Sequence, residues 1–303
     1  MSGTEEDTDY CPSLMRSVLI TGSKSFIGEN FVRYSRFRNV HSVSLIEHDP
    51  SSISFGEFDT VIHLAAIVHV RKNIDAELYM RVNCDLAVET AMSAKAAGVK
   101  HFVFMSSVKV YGDESGESSP LTEKSECFPS DDYGRSKLAA EIAMGELNDE
   151  NFCVSIIRTP VVYGAGMKAN MLNLLRLVKY FPVLPLDGIE NKRQFTYVEN
   201  LIGFIDRIIE LRIPGIFIAM DTDACSTTDL VRFMSEALCK NVHLFRVPFL
   251  KSIFRAQTTR LFGSLIIDNR VSRQKLSFEP VYSTRDGIRK MISEYQVKGI
   301  KIC

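Results

Sequence analysis

Tyr133 and Lys137 lie four residues apart in the segment Tyr133-Gly134-Arg135-Ser136-Lys137, and Ser106-Ser107 closes an apolar run upstream. A serine, a tyrosine and a lysine have a chemical reason to meet. Residues i and i+4 share a helix face, so the Lys137 ammonium can favour the ionised form of the Tyr133 phenol and bring a group of pKa ~10 towards working pH. A phenol tuned in this way exchanges protons with an alcohol or carbonyl oxygen. The same spacing occurs by chance on many helices, so the reading depends on the elements that surround it.

The first of these is Val18-Leu19-Ile20-Thr21 followed by Gly22-Ser23-Lys24-Ser25-Phe26-Ile27-Gly28. It reads as an apolar strand, a turn of small residues and a helix over 26–37. The N–H groups and positive dipole end at the start of such a helix suit the pyrophosphate of a dinucleotide, and strand–turn–helix near the N-terminus is the setting this turn requires. Gly22, Ser25, Phe26, Ile27 and Gly28 are the candidate cofactor turn. Ser25 stands where a glycine is expected, and its hydroxyl can itself donate to a phosphate.

The 303 residues are enough for a substantial core in one large or two modest domains, and 46% hydrophobic with 24% charged residues is ordinary for a globular protein. A net charge of −1 gives no electrostatic argument for nucleic acid or an anionic membrane. The seven cysteines (Cys11, Cys84, Cys127, Cys153, Cys225, Cys239, Cys303) are scattered, odd in number and without CxxC or His/Cys clustering. They read as reduced thiols in a cytoplasm, with no metal site or disulfide framework indicated. No apolar run approaches a membrane span, and residues 1–16, acidic and polar, read as a flexible tail and not a signal peptide.

Short β-rich runs at 18–21, 43–46, 61–65, 102–106 and 154–158 alternate with helical stretches at 26–37, 74–97 and 133–147. This alternation predicts an α/β fold with a doubly wound parallel sheet. Only fourteen residues separate Ile46 from Val61, too few for another strand with two full helical crossovers, so the third strand of the usual order is expected to be stunted or attached by loops. The loop at 113–132, rich in Ser, Glu, Pro and Asp, reads as a surface flap over the site. Beyond Gly166 longer helices are broken by Pro182, Pro185 and Pro214, with a return strand at 215–219. Ser226 or Thr227 is placed to cap the next helix, whose Leu230, Phe233, Met234, Ala237 and Leu238 share one face and read as core.

The chain resembles the extended short-chain dehydrogenase/reductase family, the nucleotide-sugar epimerases, dehydratases and ketoreductases. The residues that carry the likeness run in the family's order from 17 to about 290: Thr21-Gly22 to Gly28, Asp59 to Ala66, Asn83, Ser106 to Gly112, Tyr133 to Lys137, Arg158 to Gly166 and Arg193 to Leu201. The resemblance implies a Rossmann domain over 17–165 and a smaller C-terminal α/β substrate-binding region over 166–303, with segments returning to the first domain. It makes Ser107, Tyr133 and Lys137 the catalytic set, with Ser107 preferred to Ser106 for the substrate oxygen. Lys137 also holds the nicotinamide ribose. Leu64, Ala65, Ala66 and Val161 join the turn around the cofactor, His63 packs beside it as a structural residue, and Asn83 ties its helix to the strand bearing Ser107. His69 has no assigned role. Many relatives have an asparagine at the position of Val161 that contacts the substrate pyrophosphate, and that contact is missing here.

Glu47, twenty-five residues after Gly22, is read as ending the second strand, where a carboxylate accepts from the adenosine ribose diol and repels a 2′-phosphate. NAD is favoured. Lys24 is the opposing signal for NADP, which is not excluded. Asn170 and Arg193 look similar to a branch acting on UDP-linked N-acetylated sugars, and a guanidinium is shaped for phosphate or uracil oxygens unless Glu199 pairs with it. These two, with Ser107 and Lys109, are the candidate substrate-binding residues; Arg260 and Arg273 are weaker phosphate candidates.

The leading activity is a UDP-sugar 4-epimerase, with a 4-ketoreductase acting on a UDP-4-keto-6-deoxy-N-acetylhexosamine as the alternative and a non-catalytic cofactor-binding regulator as the alternative of another class. Dehydratase relatives carry an Asp-Glu pair where this chain has Val108-Lys109, and regulators usually lose the Tyr or the Lys that remain here. The resemblance also implies a homodimer through the helices at 79–97 (Val82, Leu86, Thr90) and 133–147 (Leu138, Ile142, Gly145).

Overall fold

The computed structural model describes residues 16–68, 75–115, 120–167, 170–247 and 263–297. Its strands are β1 (Val18–Thr21), β2 (Val40–Val43), β3 (Thr60–His63), β4 (His101–Ser107), β5 (Cys153–Thr159), β6 (Val161–Tyr163), β7 (Val183–Leu184), β8 (Phe195–Tyr197), β9 (Gly215–Ile218) and β10 (His243–Leu244). The main sheet is parallel, in the order β2-β1-β3-β4-β5-β9, and the short pairs β6-β8 and β7-β10 lie beside it.

Helices α1 (Phe26–Tyr34), α2 (Ala76–Met80), α3 (Leu86–Ala96), α4 (Asp132–Leu147), α5 (Asn170–Tyr180), α6 (Val198–Leu211), α7 (Thr227–Ala237), α8 (Arg270–Leu276) and α9 (Thr284–Val297) surround these strands. On one face of the sheet Val18, Ile20, Val103 and Ile157 pack with Phe31 of α1 and Ile202 and Ile205 of α6. On the other, Leu19, Val61, Phe102 and Phe104 pack with Ala87, Ala91 and Ala94 of α3 and Met144 of α4. Successive residues of β1 therefore enter opposite cores, as a period of two requires, and strands covered on both faces read as unbroken apolar runs. A further core joins Tyr163, Leu175, Tyr197, Val231, Met234, Ile288 and Met291 from β6, α5, β8, α7 and α9.

Several boundaries differ from expectation for local reasons. β2 spans Val40–Val43, not 43–46, because backbone pairing with β1 at the sheet edge needs no buried side chains; Ile46 is 97% exposed. The stunting expected of the third strand of the usual order is found: two short 3₁₀ turns, Pro50–Ser52 and Phe55–Glu57, stand in its place, with Phe55 plugged into the core. α1 stops at Tyr34 because the Ser35 hydroxyl donates to Asp206 at 2.6 Å and the chain turns away there. The long helix after β3 starts at Ala76, capped by Asp75, and is interrupted by a π-helical turn at Arg81–Asp85. At α7, Ser226 and Asp229 form a capping box, so Ser226 is the cap and Thr227 the first helical residue.

Candidate active site

The turn after β1 has the shape of a dinucleotide cradle. Gly22 sits at φ +92°, and a Cβ there would lie 2.8 Å from the Ala65 nitrogen, so only glycine lets β1's turn close on the segment after β3. That approach brings Leu64, Ala65 and Ala66 against the turn, with the Leu64 N–H donating to the Thr21 carbonyl at 2.9 Å. Ser25 has ordinary extended dihedrals, which is why a serine is accepted in the glycine position, and its Oγ accepts from the Gly28 N–H at 3.0 Å as the cap of α1. The expected phosphate-facing Ser25 hydroxyl is thus in the first place a helix cap. Phe26 packs against the C-terminal core and Ile27 against the sheet core.

Glu47 does not end β2. It lies in a turn four residues past Val43, where Lys24 donates to its Oε1 at 3.0 Å, and this bond holds the carboxyl below its usual range. The two opposed cofactor signals are therefore one exposed ion pair beside the phosphate turn.

β4 and α4 bring the proton-transfer candidates together. Ser107 is the last residue of β4, and its hydroxyl lies near the Tyr133 phenol, close enough to draw the phenol's pKa down. Close approach depends on Gly134, where a Cβ would lie 2.6 Å from the Lys109 carbonyl oxygen. Asp131 caps α4 by accepting from the Gly134 N–H at 2.8 Å. Burial pushes the phenol up to about 12, Ser107 beside it opposes this, and Asp131 and Tyr79 add to it. The expected lowering of the phenol by Lys137 is not what the structure shows. The Lys137 Nζ donates to the Met105 carbonyl at 2.9 Å and stands 4.6 Å over the Phe104 ring, turned onto β4, and burial pulls its own pKa down to about 8.

His63 is fully buried, its Nδ1 is 2.9 Å from Thr21 Oγ1, and burial with the nearby Lys137 charge pulls it down to about 3, so it is neutral. Asn83 lies in the π turn. It makes a two-way bridge to the Ile67 backbone (2.7 and 3.0 Å) and donates to Ser136 Oγ at 3.1 Å. It thus ties the helix to the segment after β3 and to α4, and not to the Ser107 strand as expected.

The substrate candidates are more dispersed. Lys109 pairs with Asp113 and, at 3.0 Å, with Asp131, which places its charge beside Ser107 and the start of α4. Arg193 donates from Nε to the Gly263 carbonyl (2.8 Å) and from Nη2 to the Asp113 carbonyl (2.9 Å), while Glu199 pairs instead with Lys290 at 2.6 Å. Asn170 is the exposed first residue of α5, and Val161 opens β6 half exposed. The 113–132 loop is stitched to residues 264–268 through Ser115, Leu121 and Asp268 backbone bonds and is not free-standing. Arg273 pairs with Glu279; His69 and Arg260 lie outside the described residues. Glu141 escaped the sequence reading although its spacing from Lys137 repeats that of Lys137 from Tyr133: it forms a buried ion pair with Arg158 at 2.5 Å.

This fold and this constellation agree with what known proteins show. Residues 18–217 match the NAD dependent epimerase/dehydratase family. The chain belongs to that family, and it is an NAD(P)-dependent enzyme of the extended short-chain dehydrogenase/reductase type. It is 32% identical to a UDP-glucose 4-epimerase of Vibrio cholerae over 91% of this chain and 94% of that one. It is 27% identical to an N-acetyl-α-D-glucosaminyl-diphospho-ditrans,octacis-undecaprenol 4-epimerase of Escherichia coli O157:H7 over 63% of this chain and 58% of the other. Among solved structures, UDP-N-acetylglucosamine 4-epimerase from Bacillus cereus superposes with a TM-score of 0.77 at 19% identity, covering 93% of this chain and 99% of that one. Among the described residues no helix is long and apolar enough to cross a membrane.

Proposed function

We propose that the protein is a UDP-sugar 4-epimerase. The observation that carries this reading is the close approach of Ser107, at the end of β4, to Tyr133 at the start of α4, with Lys137 one turn further along that helix. The whole-length likeness to a UDP-glucose 4-epimerase supports it. When bound, the nicotinamide supplies a reversible hydride acceptor. Ser107 holds the sugar 4-oxygen, Tyr133 takes its proton and later returns it, and Lys137 holds the ribose. Gly22, Ser25, Phe26, Ile27, Gly28, Leu64, Ala65, Ala66 and Val161 form the cofactor cradle, and Lys109, Asn170 and Arg193 receive the nucleotide sugar. In this reading 17–165 is the dinucleotide domain and 166–303 the substrate region, the protein works in the cytoplasm, and it pairs as a homodimer.

A 4-ketoreductase is the second reading, favoured by Lys109 standing two residues after Ser107 with its charge held at the site mouth. One experiment separates the two. Purified protein is incubated with UDP-N-acetylglucosamine or UDP-glucose and catalytic NAD, and separately with a UDP-4-keto-6-deoxy sugar and reduced cofactor. A C4-inverted product with no net change in cofactor supports the epimerase; stoichiometric oxidation of the reduced cofactor with no inversion rejects it in favour of the reductase.

A further inference from the structure

α4 carries Tyr133, Lys137 and Glu141 at successive i, i+4 positions, one stripe of the helix. Lys137 is 2% exposed and Glu141 4%. The Glu141 carboxylate accepts from the Ser106 hydroxyl on β4 and from Arg158 on β5, through Nε at 3.1 Å to each oxygen and Nη2 at 2.5 Å. Ser106 and Arg158 are register partners, so the carboxylate grips one rung of the sheet immediately before Ser107. The Arg158 guanidinium lies 4.8 Å over the ring of Tyr111, in the turn that follows Ser107.

Stability alone does not call for this arrangement. A buried ion pair costs about as much to desolvate as it returns, and apolar residues of similar volume often do as well. What an apolar pair cannot supply is charge. The groups around Lys137 are Tyr133 and Glu141 on its own helix, His63 from β3, the Phe104 ring on β4, and Arg158 from β5 across Glu141. His63 is neutral and Arg158 is a second cation, so Glu141 is the anion of this set.

We propose that Glu141 is a positioning residue of the proton-transfer site: gripped by Arg158 and Ser106, it fixes the turn of α4 bearing Lys137 against β4 and supplies the counter-charge that keeps Lys137 an ammonium. The proposal rests on the reading of Tyr133 and Lys137 as the proton-transfer pair. Removing the carboxylate leaves two buried cations without an anion between them, and Lys137 gives up its proton more readily.

Two variants test this, Glu141→Gln and the apolar exchange Glu141→Leu with Arg158→Met, the second leaving no unpaired charge should the first fail to fold. ¹⁵N NMR of the Lys137 ammonium in the protein without substrate should show its titration moved down by about one unit or more in either folded variant. The alkaline limb of the kcat/KM profile should move down with it, and kcat should fall about 10-fold or more as the turn of α4 loses its grip. A folded apolar variant with the wild-type Lys137 titration and the wild-type pH profile would overturn the proposal and leave the clamp purely structural. The NMR titration needs no turnover, so wild-type protein inactive on nucleotide sugars would reject the proposed function while the titration still decides the role of Glu141.

Discussion

Lys24, in the turn that would receive the cofactor phosphates, and Glu47, beyond the end of β2, are joined at 3.0 Å with their side chains 81% and 56% exposed. An exposed pair of this kind is screened by salt and is easily parted by a competing ligand. Each partner moderates the other: Glu47 can accept from a ribose diol, while Lys24 reduces its repulsion of a 2′-phosphate. The expected outcome is tighter binding of NAD than NADP by calorimetry. Lys24→Ala should widen that preference and Glu47→Ala should narrow or reverse it. Equal affinities in the wild type, unmoved by either substitution, would remove the pair from cofactor choice.

Tyr133→Phe should lower turnover by about 10²-fold or more, the scale of a general acid–base contribution, with the circular dichroism spectrum unchanged. Near-normal turnover would take Tyr133 out of the mechanism. Lys137→Met should weaken cofactor binding as well, because one substitution removes both a charge and a ribose donor.

Lys137 also makes stability depend on pH. Its folded pKa is about 8 against an ordinary 10.5, so between those values the unfolded chain binds more protons and stability rises with pH. Below about 8 the lysine is charged in both states and its burial is a standing cost; above 10.5 it is neutral in both and the cost is gone. Thermal melts of wild type and Lys137→Met should therefore converge or cross in the wild type's favour as pH climbs through this window. A Tm difference constant from pH 8 to 10.5 would show that Lys137 titrates normally in the folded protein.

The backbone of this fold was legible because its strands are buried on both faces and its turns are chemically marked. Val18 to Thr21 and Phe102 to Ser106 announce themselves as largely apolar runs, and Ser226 marks the start of α7 as its cap, whereas the caps Ser25 and Asp131 emerge only in the fold. β2 was misplaced because an edge strand with exposed residues carries no burial pattern. The Tyr133–Lys137 spacing was readable as local geometry, whereas the direction of Lys137 depends on Met105 and Phe104, thirty-two and thirty-three residues away in the chain. Arg193 shows the same limit: its side-chain partners, the carbonyls of Asp113 and Gly263, belong to segments that only the tertiary fold brings together.

Gly22→Ala tests the cradle directly. The added methyl would meet the Ala65 backbone at 2.8 Å, at a φ of +92° that L-residues rarely adopt. Backbone strain of this type costs on the order of 1–3 kcal/mol. The variant should melt at a lower temperature and lose dinucleotide binding by more than its loss of folded fraction explains. Wild-type affinity for NAD in a folded Gly22→Ala protein would argue that the cofactor does not use this turn.

The last expectation concerns pairing of two copies through α3 and α4. The face predicted from i, i+4 spacing across Val82, Leu86 and Thr90 does not exist as such, because the π turn at Arg81–Asp85 holds an extra residue and shifts the phase of everything after it. Thr90 is buried, its hydroxyl donating to the Leu86 carbonyl at 2.6 Å. The outward surface instead includes a groove lined by Val88, Met92 and Ala143 together with Asp85 and Glu89. Met92 of α3 and Ile142 of α4 are 56% and 61% exposed, apolar side chains that a two-fold axis can set against a second copy. A dimer should sediment at micromolar concentration, and Ile142→Glu should convert it to a folded monomer by placing two carboxylates opposite one another at the axis. A wild-type monomer at that concentration would reject the pairing, and a dimer indifferent to Ile142→Glu would move the interface to another face.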